Sequence, residues 1–133
     1  MQQELKDIVF LDIETASGSS SYEHLDDRLK LMWARKASYL RRDEETDTEL
    51  YQARAGIYAE FGKVICIVVG KLVELDSGEM ALRTKAYSGH DEVELLTQFK
   101  SMAERLDPTS IKFCAHNGKE FDYPYLCRRM LIN

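Results

Sequence analysis

The chain has 133 residues, 44% of them hydrophobic and 31% charged, and a net charge of −5. That length fits one domain with a core of its own, and the balance is that of a globular chain and excludes a disordered one. The longest apolar run, Val64 to Val69, is strand-sized, which excludes a helical membrane span.

The polar start, Met1-Gln2-Gln3-Glu4-Leu5-Lys6-Asp7, lacks the apolar centre of a secretion signal. Ile8-Val9-Phe10-Leu11 then reads as a strand buried on both faces, running into Asp12-Ile13-Glu14-Thr15. Side chains alternate along a strand, so Asp12 and Glu14 project from one face. Paired carboxylates on a rigid element suit a hard divalent cation such as magnesium or manganese. An isolated Asp-x-Glu is more often just two acids where a strand runs into solvent.

Ala16-Ser17-Gly18-Ser19-Ser20-Ser21 is a loop. From Tyr22 to about Leu40 the apolar spacing is helical, and the acids from Asp43 to Asp47 are placed to start another helix whose spacing runs on towards Gly62. This stretch, at about 18–62, is expected to be a helical insertion within a single domain. Lys63–Val73 and Met80–Tyr87, joined at Asp76-Ser77-Gly78-Glu79, read as a hairpin. Ser88 and Asp91 have capping-box spacing ahead of a helix that ends at Asp107-Pro108. Ile111–Ala115 is a short fourth strand, His116–Asp122 a loop, and Tyr123–Leu131 a last helix with Pro124 in its first turn.

This order predicts an α/β fold whose mixed sheet is flanked by helices. The helix between the third and fourth strands lets the fourth lie parallel to the first. Working groups in such sheets collect at the carboxyl ends of neighbouring parallel strands, which brings Asp12 and Glu14 towards the loop Ala115–Asp122.

Charge is unevenly spread. From Arg28 to Arg42 the chain carries Arg28, Lys30, Arg35, Lys36, Arg41 and Arg42 with no acid, and Asp43, Glu44, Glu45, Asp47 and Glu49 follow. A basic strip of this kind is either a solvated helix face or a phosphate-facing surface. Cys66, Cys114 and Cys127 are scattered, without zinc spacing or a disulfide frame, and read as buried or half-buried thiols in a reducing compartment, the cytoplasm by default.

Asp12-Ile13-Glu14, followed far down the chain by Asn117-Gly118-Lys119-Glu120-Phe121-Asp122, resembles the DEDD superfamily of 3′-5′ exonucleases with the RNase H-like fold. The Asn-x-x-x-Phe-Asp spacing with Pro124-Tyr125-Leu126 after it is similar to stand-alone exonucleases related to the family B DNA polymerase proofreading domain. Ile57 to Cys66 resembles the run into their second strand. The resemblance implies that Asp12, Glu14 and Asp122 hold two divalent ions, Mg2+ or Mn2+, about 4 Å apart, for hydrolysis at a nucleic-acid 3′ end, with DNA the expected substrate. It implies substrate contacts from Ile13, Thr15, Asn117 and Phe121. Asp122 would also be a good helix cap and Asn117-Gly118 an ordinary turn, while Phe121 has an equal role as a packing residue and His116 is structural.

The superfamily also has a third motif, a Tyr or His followed by a fourth acid on a later helix. After Asp122 this sequence has no Asp or Glu. The expectation is a partial exonuclease domain over 1–133, incomplete at its C-terminal end, without the fifth strand and third-motif helix, and inactive or nearly so by itself. Its fourth strand would form an exposed sheet edge open to dimerisation. The alternative is a non-catalytic nucleic-acid- or partner-binding domain on the same fold; a resolvase or ribonuclease fits the motifs less well.

Overall fold

The computed structural model describes residues 2–133, with side chains from Glu4 onward; Met1, the first residue of the polar start, lies outside the described residues. In chain order the elements are α1 (Gln2–Lys6), β1 (Ile8–Ser17), α2 (Asp27–Leu40), α3 (Asp47–Arg54), β2 (Gly62–Glu74), β3 (Met80–Ser88), α4 (Glu92–Ala103), β4 (Lys112–Cys114) and α5 (Asp122–Ile132). Single 3₁₀ turns lie at Tyr22–His24 and Ala55–Ile57. The fold is α/β, a four-stranded mixed sheet in the order β3-β2-β1-β4 with five helices. No described helix is long and apolar enough to cross a membrane.

The chain forms two compact units, one of residues up to Glu14 together with Val64–Asn133, the other Thr15–Lys63. In the first, β2 and β3 form the antiparallel hairpin, and Gly78 takes the left-handed turn conformation at φ 84° between them. β1 and β4 are parallel, with Val9 opposite Phe113 and Phe10 opposite Cys114. One face of the sheet holds the core. Val9, Leu11, Ile13, Ile67, Val69 and Tyr87 are buried with Leu95, Leu96 and Phe99 of α4 and Tyr125 and Leu126 of α5. The Tyr87 and Phe99 rings meet edge to face at 6.3 Å.

Several expectations change. β1 is buried on one face only, because Phe10, Asp12 and Glu14 alternate outward against Val9, Leu11 and Ile13. The apolar run Ile8–Leu11 hides this period, since Phe10 is apolar yet points outward. The helix after β3 is capped by Asp91, which accepts from the Glu94 N–H at 3.0 Å, not by Ser88, and it stops at Ala103, short of Asp107-Pro108. Asp107 instead organises its own turn, accepting from the main chain and hydroxyl of Thr109. Cys114 and Cys127 are exposed and Cys66 is half-buried, because Cys114 lies on the edge strand and Cys127 on the outward side of α5. β4 offers only three residues of open edge, a short template for pairing with another chain.

The second unit has a core of its own around Trp33, which is fully buried with Leu25, Ala37, Leu50, Tyr51, Ala55 and Phe61. Trp33 meets Tyr51 and Phe61 edge to face at 5.2 and 5.0 Å, and its indole N–H donates to the Asp47 carbonyl at 2.9 Å. Asp26 caps α2 through the Leu29 N–H. Tyr22–His24 therefore stands apart as a 3₁₀ turn, and the helix expected from Tyr22 begins at Asp27. Thr46 and Glu49 form a reciprocal capping box on α3, which ends at Arg54 and does not continue to Gly62.

Candidate metal and phosphate site

β1 delivers Asp12 and Glu14 from its outward face, and both side chains are exposed. Pairing with β4 ends at Phe10 and Cys114, so the chain after β4 is free to turn across the end of β1. The turn is built on Asn117, whose φ of 54° lies in the left-handed region that Asn tolerates better than most side chains. Its carbonyl accepts from Glu120 and Phe121 at 3.0 and 3.1 Å, closing the loop that feeds α5.

At the head of α5, Asp122 is only 3% exposed. Burial pushes its carboxyl above the usual value; the negative charge of Asp12 adds to the rise, while hydrogen bonds from its own main chain and from Ile13, together with the nearby His116, oppose it. The structure therefore brings Asp12 and Asp122 near enough to repel. The Ile13 amide fixes the Asp122 carboxylate against β1, and the Ile13 side chain is buried. Asp122 is the first residue of α5 and not its cap. The N-cap position falls to Phe121, which makes no side-chain capping bond, and the Asp122 carboxylate is directed to β1. A negative charge there is favoured by the amino end of the helix.

Phe121 is half-buried and packs on Tyr125, ring centroids 5.4 Å apart. Asn117 is exposed and lines a cleft of about 450 Å³ with Cys114, Lys119, Glu120 and Tyr123. Thr15 continues β1 as a half-buried residue of the second unit. His116, read from sequence as structural, is exposed and close enough to Asp122 to oppose the rise of its carboxyl. Among the described residues no three His, Cys, Asp or Glu side chains form a group that could hold a metal ion. Glu14 shares the outward face of Asp12 without completing such a group.

Two features of the first unit were not read from the sequence. Tyr123 packs so tightly under the turn that a Cβ on Gly118 would lie 2.8 Å from its Cζ and 2.7 Å from the Ala115 Cβ. Gly118 is thus required for close approach, and the Asn-Gly pair gave only a turn signal. Gly118→Ala is expected to cost about 1–3 kcal/mol by overpacking. It should also displace the Asp122 end of the loop, so urea unfolding and manganese binding should weaken together. The second feature is the buried pair of Glu92 and Arg129. Arg129 donates from Nε to Glu92 Oε1 at 2.8 Å and from its terminal nitrogen to Oε2, while the Val64 amide and Asn133 also donate to Glu92. Its sequence signal is faint, an Arg in the last turn of an otherwise apolar helix face.

An apolar cavity of about 600 Å³ lies on the Leu11 side of β1, lined by Phe99, Phe113, Leu126 and Met130 among others. It is not the carboxylate site, because Leu11 and Asp12 point to opposite faces. Comparison with protein-family models, with curated proteins and with solved structures returned no match.

Proposed function

We propose that the sheet is an RNase H-like one and that Asp12 and Asp122, with Glu14, form the carboxylate site of a DEDD-type 3′-5′ exonuclease that takes Mg2+ or Mn2+. The observation that carries this is the convergence of Asp12 and Asp122, from opposite ends of the sequence, at one end of β1. A buried carboxylate facing another is costly without a cation between them, and an oxygen-ligated divalent ion offsets both charges. When bound, such ions activate a water and offset charge on the scissile phosphate. The protein contributes the rigid strand that holds Asp12, the Ile13 amide that orients Asp122, and an exposed Asn117 beside the cleft for hydrogen bonding to a nucleotide. Phe121 supports the loop by packing on Tyr125.

The test is binding of a reaction product. With Mn2+ present, calorimetry should show a nucleoside 5′-monophosphate binding the chain, and Asp12→Ala should abolish it. Nucleotide binding that ignores both the ion and Asp12 would favour a second role, a non-catalytic binding domain on the same fold.

A further inference from the structure

The basic strip between Arg28 and Arg42 does not form one face. Lys36 lies over the Tyr58 ring with its Nζ 4.1 Å from the centroid, and Arg41 pairs with Asp47. What α2 turns to solvent is a narrower set. Leu29, Trp33, Ala37 and Leu40 line the packed side. Arg28, Leu31, Met32, Arg35 and Tyr39 are all exposed, and at 100° per residue they fall within an arc of about 100° opposite it. Tyr39 is 89% exposed and Leu31 66%. Neither Arg28 nor Arg35 has an ion-pair partner among the described residues.

An amphipathic helix in a globular unit ordinarily shows polar side chains on its outer face. This one shows two unpaired guanidinium groups alternating with large apolar side chains and an aromatic ring. Several acids that would otherwise offset the arginines are engaged elsewhere in the unit. Asp26 caps α2, Glu49 closes the capping box of α3, Asp47 holds Arg41, and Glu23 accepts from Thr48. Asp27, in the first turn of α2, is the acid closest in sequence to the stripe.

We infer that this face of α2 is a docking surface for single-stranded nucleic acid. Seven residues of helix set Arg28 and Arg35 roughly 10 Å apart along the axis, with Tyr39 about 6 Å beyond. The two guanidinium groups meet backbone phosphates. Tyr39 offers its ring to an unpaired base, with Met32 and Leu31 as the apolar flank, the combination by which single strands are bound without sequence readout. Two arginines alone would suit any polyanion, and the exposed ring one turn beyond Arg35 is what selects unpaired bases. The surface needs no divalent ion and belongs wholly to the second unit, so it is separable from the carboxylate site.

The test is fluorescence anisotropy of end-labelled 20-mers of oligo-dT and oligo-U with the whole chain, in EDTA so that no divalent ion takes part. The single strands should bind, with log affinity falling linearly against log salt. Arg28→Glu with Arg35→Glu should lower affinity at least tenfold and reduce the salt slope. Tyr39→Ala should lower it about 5- to 100-fold with little change in slope, and Tyr39→Phe should restore it. Preference between oligo-dT and oligo-U would name the strand's chemistry. Unchanged affinity in the folded variants, checked by circular dichroism, overturns the inference. So does equal binding of blunt duplex DNA unaffected by Tyr39→Ala, or capture of the chain by phosphatidylserine vesicles in place of the oligonucleotides. Failure here leaves the ion-dependent nucleotide binding of Asp12 and Asp122 standing, and failure there leaves this surface standing.

Discussion

Arg129→Met is expected to destabilise the first unit by about 3–5 kcal/mol, since it strands a buried carboxylate without its cation. Glu92 sits in the first turn of α4 with its side chain 9% exposed. Burial pushes its carboxyl upward, but Arg129, the Val64 amide and Asn133 outweigh that and hold it below the usual value. Its contribution to stability is present above the unfolded carboxylate pKa of about 4.3 and is lost as pH falls through the folded value. The loss in Arg129→Met is a large part of the 5–15 kcal/mol that holds a typical domain together. Adding Glu92→Gln should recover much of it, because a neutral pair leaves no unpaired charge. Urea unfolding of the two single variants and the double variant closes the cycle. Single variants within about 1 kcal/mol of the parent would show the pair to be dispensable.

Asp122→Asn is expected to act in the opposite direction on the ion-free protein. Burial and the charge of Asp12 raise the folded pKa of Asp122, so the folded state holds its proton over a pH range in which the unfolded chain has released it. The contribution of Asp122 is complete below the unfolded value of about 3.9 and is lost as pH rises through the folded one. At neutral pH the ionised group opposes folding, and Asn keeps an oxygen for the Ile13 amide. A gain of about 0.5–2 kcal/mol follows, roughly 2–8 °C in Tm, with a flatter dependence of stability on pH in the acid range. Manganese should then separate the two proteins. At a hundredfold excess over its dissociation constant it adds about 2.7 kcal/mol to the parent and nothing to Asp122→Asn. A less stable Asp122→Asn would mean that the carboxylate is held for structure.

Glu92 and Asp122 also differ in what the sequence shows of them. Asp12 and Glu14 stand in a short local pattern, Asp-x-Glu at the end of an apolar run, which places them on β1, whereas Asp122 was legible as an acid ahead of a Pro-containing helix but was placed in the loop and not in α5. The parallel pairing of β1 and β4 followed from the helix between β3 and β4, and it brings Asp12 and Asp122 together. Glu92 and Arg129 have no such pattern. Their contact spans α4 and α5 and depends on how both helices lie on the sheet. The outward turn of Phe10 was hidden because an apolar side chain on an exposed face reads like one in the core. In the second unit, Asp26 and Thr46 cap α2 and α3, but continuous apolar spacing from Tyr22 and again from Leu50 masked where the helices begin and end. The basic strip was visible as charge, but its sorting around α2 was not: Lys36 and Arg41 are engaged elsewhere, Lys30 is half-buried, Arg42 lies past the helix end, and Arg28, Arg35 and Tyr39 share the exposed arc.

The most direct test of the carboxylate site is manganese electron paramagnetic resonance. Titrated into the chain, Mn2+ should lose its free six-line signal until the site fills, and Asp12→Asn and Asp122→Asn should each leave the signal of free ion from the first addition. A signal that grows alike for the parent and both variants would contradict a divalent-ion site at the end of β1.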